Sequence, residues 1–181
     1  MKIYLAGKIP KGNELENCTD WRAEYKAILS VHIPGVEFLD PDNTPANGVC
    51  DETDAMFWFG HDISLISQSN AVVVYCHPAE KLGVGTSMEF LFAKYYAKPL
   101  VVVLPKNTPH RQTNLKLRTG LVEDWIHPFI AAPADLIVEK LEDALPWFAD
   151  IGNKKIKDWS VIETAKEYHE KIMGEYYGRV D

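Results

Sequence analysis

A carboxylate lies near the end of the glycine-rich stretch at residues 83–90, which reads Gly-Val-Gly-Thr-Ser-Met-Glu-Phe. An apolar segment at residues 71–75 precedes it, and a helical segment and a second apolar segment at residues 99–104 follow. Together these segments make one parallel crossover unit of strand, glycine loop, helix and strand. Ligands bind to parallel sheets outside the carboxyl ends of the strands. We therefore expect Glu89, on the first turn of the helix, at the mouth of a site, as a nucleophile or general base.

Two other interpretations of this stretch remain open at the level of sequence. Thr86 and Glu89 match a capping box, in which both side chains only satisfy backbone N–H groups. Gly-x-Gly-Thr-Ser before a helix also resembles an anion-binding nest. However, Met88 stands where a dinucleotide fingerprint has its third glycine, and no Gly-Lys-Ser/Thr sequence follows. We therefore expect no dinucleotide and no other cofactor.

The elements that must position this stretch alternate between strand and helix patterns. The predicted strands cover residues 3–6, 36–39, 71–75 and 99–104, and the predicted helices cover residues 17–29, 51–68 and 90–97. The apolar residues Met56, Phe59, Ile63 and Ile66 fall on one face of the second helix. Alternating elements with short links predict a doubly wound parallel α/β sheet of about five strands, for which we favour the flavodoxin-like order 2-1-3-4-5.

The chain after the fourth strand is predicted with less regular structure. Residues 106–120 are polar and basic, typical of a solvated loop with a short helix or of a phosphate clamp. A brief apolar piece around residues 125–126 is predicted as a last edge strand, and residues 134–148 as a helix. We place one α/β domain at residues 1–150. The remainder, 151–181, is an amphipathic helical tail that packs on the domain or on a second subunit.

The predicted sheet order puts a switch point between the first and third strands. The site there would be lined by Gly7 and Lys8 after the first strand, Asp40 after the second, residues 75–77, and the stretch 83–89. Asp62, on the second helix, either reaches this site or is an ordinary solvated helix residue.

Bulk composition narrows the class of protein. The chain has 181 residues and a net charge of −7, from 19 basic and 26 acidic residues, which argues against a nucleic acid polymer as partner. The three cysteines, Cys18, Cys50 and Cys76, are odd in number and predict free thiols in a reducing compartment. No signal peptide or membrane-spanning segment is recognisable, so we expect a cytoplasmic protein without membrane contact. The histidines lack metal-ligand spacing, and we expect no metal.

An ordered set of short segments resembles the nucleoside 2-deoxyribosyltransferase family. The set comprises residues 3–7 (Ile-Tyr-Leu-Ala-Gly), Trp21-Arg22, Asp62, residues 70–74 (Asn-Ala-Val-Val-Val), residues 85–89 (Gly-Thr-Ser-Met-Glu) and Lys98-Pro99. The similarity covers residues 2 to 150, and its most specific part is Gly-Thr-x-x-Glu before a helix and a Lys-Pro strand. The tail lies outside it.

The resemblance implies roles for individual residues. Glu89 would be the nucleophile that attacks the anomeric carbon, with its ionised form favoured by the helix N-terminus. Tyr4 would orient its carboxylate, and Asp62 with the loop backbone would hold the sugar. Asn114 would close the site of an adjoining subunit, which implies a homo-oligomer of two or more chains with shared sites. The candidate substrate contacts are Gly7, Lys8, Asp40, Asn70, Gly83, Gly85, Thr86, Met88 and Asn114.

The chain departs from the family pattern at two positions. Gly83 stands where many transferases of the family carry an Asp, and Asn70 replaces another Asp. Protonation of the leaving base must then come from another group or from water. Related deoxynucleoside 5′-monophosphate N-glycosidases also lack the first Asp and resemble residues 82–85, with Lys8, His110 or Arg111 available for a phosphate. The implied substrate is a small nucleoside or nucleotide with a nucleobase acceptor. A hydrolase and a weakly active nucleotide-binding module are the alternatives.

Overall fold

The protein is described by a computed structural model over residues 1–10, 20–42 and 53–177. Its strands are β1 (Lys2–Ala6), β2 (Glu37–Leu39), β3 (Ala71–Tyr75), β4 (Leu100–Val103), β5 (Arg111–Leu117), β6 (Gly120–Ile126) and β7 (Leu136–Val138). Its α-helices are α1 (Trp21–His32), α2 (Ala55–Gln68), α3 (Val84–Tyr95), α4 (Pro128–Ala131), α5 (Leu145–Ala149) and α6 (Ser160–Tyr177). Short 3₁₀ turns at Leu141–Ala144 and Ile151–Asn153 flank α5.

Five strands form a parallel sheet in the order β2-β1-β3-β4-β7. This confirms the predicted α/β class, the predicted strand order and the C-terminal helix. The fifth strand, however, comes from Leu136–Val138, inside the stretch that the sequence predicted as a helix over residues 134–148. Three consecutive apolar residues suit a strand buried in a parallel sheet, and so short a run carries no period that distinguishes it from a helix.

An antiparallel hairpin of β5 and β6 stands between β4 and β7 in the sequence. The predicted loop over residues 106–120 is therefore wrong, and residues 125–126 belong to the hairpin rather than to an edge of the main sheet. Arg111 anchors the hairpin, because its guanidinium donates to Leu104 O at 3.0 Å and to both carboxylate oxygens of Asp124 at 2.9 and 2.6 Å.

Alternation along the strands divides the core between the two faces of the sheet. Ile3 and Leu5 of β1 pack with α1 and α5, whereas Tyr4 and Ala6 pack on the other face with α2, α3 and α4. All four of these side chains are fully buried. Because successive strand residues point to opposite faces, this register sends the phenol of Tyr4 toward α2 and α3.

Aspartates cap two of the helices on this scaffold. The carboxylate of Asp20 accepts from Ala23 N at the start of α1, and that of Asp54 accepts from Phe57 N at the start of α2. Both helices were predicted to begin earlier, but residues 17–19 and 51–52 lie outside the described part of the chain, and Thr53 and Asp54 precede α2.

The predicted apolar face of α2 is only partly buried. Ile66 is fully buried, whereas Met56 and Phe59 are 78% and 51% exposed. On the neighbouring helix α3, the apolar side chains of Val84 and Met88 are also exposed. We call the four exposed residues Met56, Phe59, Val84 and Met88 the α2/α3 surface.

A buried ion pair holds the segment that leads into α6. Lys94, at the end of α3, pairs with Asp135, and neither side chain is more than 2% exposed. Lys94 Nζ also donates to Lys157 O at 3.1 Å, and Asp135 Oδ1 accepts from Lys157 N at 2.7 Å. The ring of Trp159 meets Tyr95 edge-on. Most side chains of α6 itself are exposed, and no helix in the described ranges is long and apolar enough to cross a membrane.

Candidate active site

Glu89 lies in the second turn of α3, not in the first turn as the sequence predicted. The helix begins at Val84 after Gly83, and no side chain caps its start. The capping box of Thr86 and Glu89 therefore does not form. Instead, the hydroxyl of Ser87 donates to Gly83 O at 2.9 Å. The helix carries Glu89 inward, where it is 6% exposed.

Tyr4 and Glu89 meet between β1 and α3. The Tyr4 hydroxyl donates to Glu89 Oε1 at 2.6 Å in a buried hydrogen bond. The second carboxylate oxygen, Oε2, is buried and has no hydrogen-bond partner among the described residues. A buried carboxylate oxygen without a donor is unfavourable, so this atom is ready to bond to a group that those residues do not supply.

Burial raises the pKa of Glu89 to about 7. The hydrogen bond from Tyr4 lowers this pKa, the negative charge of Asp62 raises it, and the guanidinium of Arg22 lowers it. The sequence-based expectation that the helix N-terminus favours the ionised carboxylate is therefore wrong. The helix dipole acts within the first turn, and Glu89 lies beyond it. Desolvation is therefore the largest influence on the pKa of Glu89. Burial also raises the pKa of Tyr4, which keeps the phenol protonated and able to donate.

Asp62 is the third member of this cluster. It is half-buried on α2, one turn before the fully buried Ile66, and its charge acts on both Glu89 and Tyr4. Burial raises the pKa of Asp62 as well, while His61 and Arg22 lower it. Half-burial and the action of its charge on Glu89 set Asp62 apart from a fully solvated helix residue, and its place in the site stays a prediction. Paired carboxyl groups beside a phenol can perform nucleophilic and acid–base chemistry.

Comparison with solved structures identifies the architecture, whereas no protein-family model and no curated protein sequence matches the chain. A 2-deoxyribosyltransferase from Bacillus psychrosaccharolyticus superimposes with a TM-score of 0.55 at 17% identity, over 87% of this chain and 98% of that one. This chain has the fold of a 2-deoxyribosyltransferase. A conserved protein from Enterococcus faecalis V583 gives a TM-score of 0.60 at 15% identity, over 82% and 97% of the two chains. A CMP N-glycosidase from Clostridium botulinum, BcmB, reaches only 0.39 at 10% identity, over 82% and 98%.

Gly7, at the turn after β1, is a position where only glycine fits without strain. Its φ of +156° disfavours other residues, and a Cβ added there would lie 2.7 Å from the ring of Trp21. The carbonyl of Gly7 accepts from Arg22 Nη2 at 3.0 Å. Gly7 thus allows Trp21 and Arg22 to pack directly under the turn after β1.

Asp40 follows β2, as predicted, but its carboxylate is engaged with two cations. Arg22 Nε lies 3.2 Å from Oδ1, and Lys26 Nζ lies 2.5 Å from Oδ2, with Arg22 and Asp40 both buried. Arg22 is a residue to which the sequence assigned no role. It joins Asp40 to the turn at Gly7, and its charge acts on Glu89 and Asp62. The pairing of Arg22 with Asp40 makes Asp40 a support of the site.

The start of α3 and the loop before it form the rim. Gly83, Gly85 and Met88 are exposed here and Thr86 is buried, all within six positions of Glu89. A Cβ built on Gly83 or Gly85 would have no atom of the other described residues within 4 Å, the neighbouring residues and the backbone of α3 aside. Lys8 pairs with Glu80, in the loop before α3, at 2.7 Å.

Two predicted contacts are not brought to Glu89. Asn70 lies before β3, at the amino end of the sheet, where its Oδ1 accepts from Lys2 N at 2.7 Å. The carboxyl ends of the strands, where the rim lies, are at the other edge. Asn114 is exposed on β5 with a left-handed φ of 53°, a conformation that Asn tolerates well. Within the described ranges, no contact joins Asn114 to Glu89.

Two histidines, His110 and His61, have surroundings that the sequence does not predict. His110 Nε2 accepts from Leu82 N at 2.9 Å and thereby holds the loop before α3 against the hairpin. Burial lowers the pKa of His110, which favours this neutral acceptor. His61 Nε2 is buried without a hydrogen-bond partner among the described residues. No sequence pattern marks either role, because both depend on contacts between distant segments or on burial.

Other nucleophiles and metal ligands are scarce among the described residues. Cys76 is a buried free thiol, and burial raises its pKa to about 12, so it is a poor nucleophile. Cys18 and Cys50 lie outside the described ranges. No group of three His, Cys, Asp or Glu side chains in these ranges is arranged to hold a metal ion.

Proposed function

We propose that the protein is a nucleoside 2-deoxyribosyltransferase-like enzyme that cleaves the N-glycosidic bond of a 2′-deoxynucleoside. The observation that carries this proposal is the buried carboxylate of Glu89, with one oxygen held by Tyr4 and the other without a partner in the described ranges. The likeness to a 2-deoxyribosyltransferase structure supports it, since that protein shares the fold. Tyr4 and Asp62 act with Glu89, and Gly83, Gly85, Thr86 and Met88 surround the sugar and base.

The proposed reaction proceeds through a covalent intermediate. Glu89 Oε2 attacks the anomeric carbon while the bond to the base breaks and its electron pair moves onto the base nitrogen. Tyr4 holds Oε1, which fixes the carboxylate in position for the attack. The departing base takes up a proton from another group or from water. A second nucleobase then attacks the same carbon through a ring nitrogen, gives up the proton of that nitrogen, and releases Glu89. With a pKa of about 7, the carboxyl group is substantially ionised near neutral pH and able to start this sequence.

A hydrolase is the second candidate. Gly83 supplies no carboxylate to the rim. In the described part of the chain no side chain lies within 4 Å of a Cβ built there, which leaves this position to water or a 5′-monophosphate. Lys8, which pairs with Glu80 of the loop before α3, would exchange this partner for the phosphate. In this alternative, water rather than a base attacks the glycosyl–Glu89 intermediate.

The proposal includes assembly with a second copy of the chain. The α2/α3 surface presents four large apolar side chains, each between 42% and 86% exposed, beside the rim. Phe59 of α2 meets Phe92 of α3 edge-on, so apolar side chains of the two helices lie together, and large exposed apolar patches are typical of interaction surfaces. Asn114, exposed on the hairpin, would then complete the site of the neighbouring subunit. Light scattering tests the assembly, and loss of activity in Asn114→Ala, rescued by mixing with Glu89→Gln, tests the sharing of sites.

Three assays separate the candidates. With deoxyinosine and adenine, new deoxyadenosine demonstrates transfer, and free deoxyribose alone demonstrates hydrolysis. Glu89→Gln abolishes either reaction, while Glu167→Gln on the exposed part of α6 retains it. A slow 2-fluoro substrate analogue should leave a glycosyl adduct, detected by intact mass and mapped to Glu89. If substrate binds but wild type and Glu89→Gln are equally inert, the protein is a binding module and the proposed function is wrong.

A further inference from the structure

His110 joins the β5–β6 hairpin to the loop before α3. Its Nε2 accepts from Leu82 N at 2.9 Å, although the two residues are 28 positions apart in the sequence. An imidazole nitrogen accepts a hydrogen bond only while it carries no proton, so this contact requires a neutral ring with its proton on Nδ1. The link between the two segments therefore depends on a type of side chain that titrates close to neutral pH.

The backbone that carries this imidazole is fixed on both sides. His110 N donates to the hydroxyl of the buried Thr108 at 3.3 Å, and His110 O accepts from His127 N at 2.9 Å. The next residue, Arg111, donates to Leu104 O, just after β4, at 3.0 Å. The hairpin therefore gives the ring a rigid base, and loss of the contact would free the loop rather than the hairpin.

Leu82, on the other side of the contact, precedes the residue that starts α3. Gly83 is the N-cap of this helix, and its carbonyl accepts from Ser87 N at 3.0 Å and from Ser87 Oγ at 2.9 Å. The hydrogen bond at Leu82 therefore fixes the point at which the rim of the site meets the helix. Glu89 has a separate attachment, because Tyr4 holds its carboxyl group.

We propose that His110 is a positioning residue, which holds the loop before α3 in its substrate-binding position while the ring is neutral and releases it when Nε2 is protonated. This inference rests on the proposed function. Protonation turns Nε2 from an acceptor into a donor that points at the N–H of Leu82, so this hydrogen bond is lost. The rim then loses an attachment, while the hydrogen bond between Tyr4 and Glu89 is retained.

The surroundings of the ring favour its neutral form. Burial lowers the pKa of His110, and the positive charges of His127 and Lys81 lower it further. The ring centroid of His127 is 5.9 Å from that of His110, and Lys81 belongs to the loop itself. Release is therefore expected only at acidic pH, below the ordinary titration range of histidine. Other charged groups of the hairpin, the loop and the adjoining turns are engaged in ion pairs, namely Arg111 with Asp124, Glu80 with Lys8 and His77, and Lys106 with Glu139.

The pH dependence of turnover tests this assignment. The substrates are deoxyinosine and adenine, and kcat/KM between pH 5 and pH 8 reports the titrations of the free enzyme. In wild type, the acid limb of log kcat/KM should steepen from a slope of about one, set by Glu89, toward about two once His110 also binds a proton. His110→Gln supplies an amide oxygen that accepts but does not titrate, so its slope should stay at about one. His169→Gln, on the exposed part of α6, is the matched control and should behave as wild type.

A variant without an acceptor separates positioning from a merely structural role. His110→Phe keeps a ring but cannot accept from Leu82 N. At pH 8, its KM should rise about two- to tenfold, the value of one hydrogen bond, with kcat little changed because Tyr4 still holds Glu89. His110→Gln should restore the wild-type KM.

Lys81→Met tests the titrating group itself. This substitution removes a charge that lowers the pKa of His110, so the pH at which the slope steepens should rise. The proposal is overturned by equal acid slopes in wild type and His110→Gln, by an unchanged KM in His110→Phe, or by a break in slope that Lys81→Met leaves in place.

Hydrogen exchange of the Leu82 amide separates this inference from the proposed function, because it requires no turnover. At pH 7, this amide should exchange roughly two- to tenfold faster in His110→Phe than in wild type, and at the wild-type rate in His110→Gln. If it does so while wild type turns over no nucleoside, the loop contact stands and the proposed function fails. If nucleosides are cleaved but the amide exchanges equally fast in wild type and His110→Phe, this inference fails and the proposed function stands.

Discussion

Tyr4 and Glu89 are 85 positions apart in the sequence, and the hydrogen bond between them, 2.6 Å long, joins the first strand of the sheet to the third helix. The phenol is a donor whose own pKa is raised by burial, and the carboxyl is an acceptor whose pKa is raised by burial to about 7. The hydrogen bond therefore holds the carboxyl group of Glu89 in one orientation. This relationship determines how the site should respond to substitution and to pH.

Tyr4→Phe and Asp62→Asn should shift the pH dependence of base release in opposite directions. Loss of the Tyr4 hydrogen bond removes an interaction that lowers the pKa of Glu89, so the ascending limb of kcat/KM moves to higher pH. Hydrogen bonds to charged groups contribute roughly 1.5–3 kcal/mol, which corresponds to about one to two pH units. Asp62→Asn removes a charge that raises this pKa, so the limb moves to lower pH. Tyr168→Phe, on α6, should leave the profile unchanged, and two shifts of the same sign would contradict the assignment.

Stability should fall as pH rises through the titration of Glu89. Its pKa is raised from 4.5 in the unfolded chain to about 7 in the folded protein, so the folded state holds the proton more tightly. Below about 4.5 the group is protonated in both states, and between the two values the free energy of unfolding decreases, by on the order of 3 kcal/mol in total. The pKa of Asp62 is also raised, so its titration likewise lowers the free energy of unfolding as pH rises.

Glu89→Gln removes the Glu89 contribution and provides the test. Urea unfolding at pH 5 and pH 8 measures the free energy of unfolding of each protein. The free energy of unfolding of Glu89→Gln minus that of wild type should be larger at pH 8 than at pH 5. The reason is that only wild type must bury an ionised carboxylate at pH 8. An unchanged difference would show that Glu89 has an ordinary pKa in the folded protein.

Lys94→Met should be strongly destabilising. The substitution leaves Asp135 buried without its cation, and breaking a buried pair costs about 3–5 kcal/mol. Lys166→Met is the control, because Lys166 is exposed on α6 with its Nζ 4.0 Å from Glu170. Exposed pairs contribute little, so this control should stay within roughly 0.5 kcal/mol of wild type. Similar urea midpoints for the two variants would show that the buried pair contributes little.

Gly7→Ala should damage the site through Trp21. The added methyl group would meet the indole at 2.7 Å, and the backbone conformation disfavours a side chain. We expect a loss of about 1–3 kcal/mol together with reduced activity, because Arg22 and Trp21 must move. Gly152→Ala has open space around its Cβ and serves as control. Near-wild-type stability and activity of Gly7→Ala would indicate that Trp21 relaxes freely.

Sequence patterns predicted those features that depend on local periodicity. The apolar runs of β1, β3 and β4, alternating with helical patterns, predicted a parallel sheet, and the flavodoxin-like order favoured for it is the order observed. The fifth strand was missed because Leu136–Val138 is too short to show a period. The first turn of α3 was misplaced because glycine, rather than the apparent capping box, stands before its start.

The sequence and the family resemblance pointed to Glu89, Tyr4 and Asp62, and the structure joins Tyr4 to Glu89 by a hydrogen bond. The engagement of Asp40 by Arg22 and Lys26, and the raised pKa of Glu89, depend on burial and on distances between segments far apart in the chain. No single-sequence pattern contains that information, and the roles of these residues stay predictions for the experiments above.

The β5–β6 hairpin leaves and rejoins the domain at nearly one point, since His127 N donates to His110 O at 2.9 Å at its base. A hairpin whose two ends meet in this way can be shortened, lengthened or exchanged while β4 and β7 keep their pairing. The arm that carries Asn114 is therefore a replaceable module. Grafting a different hairpin there would alter how the chain engages its surroundings while the hydrogen bond between Tyr4 and Glu89 stays intact.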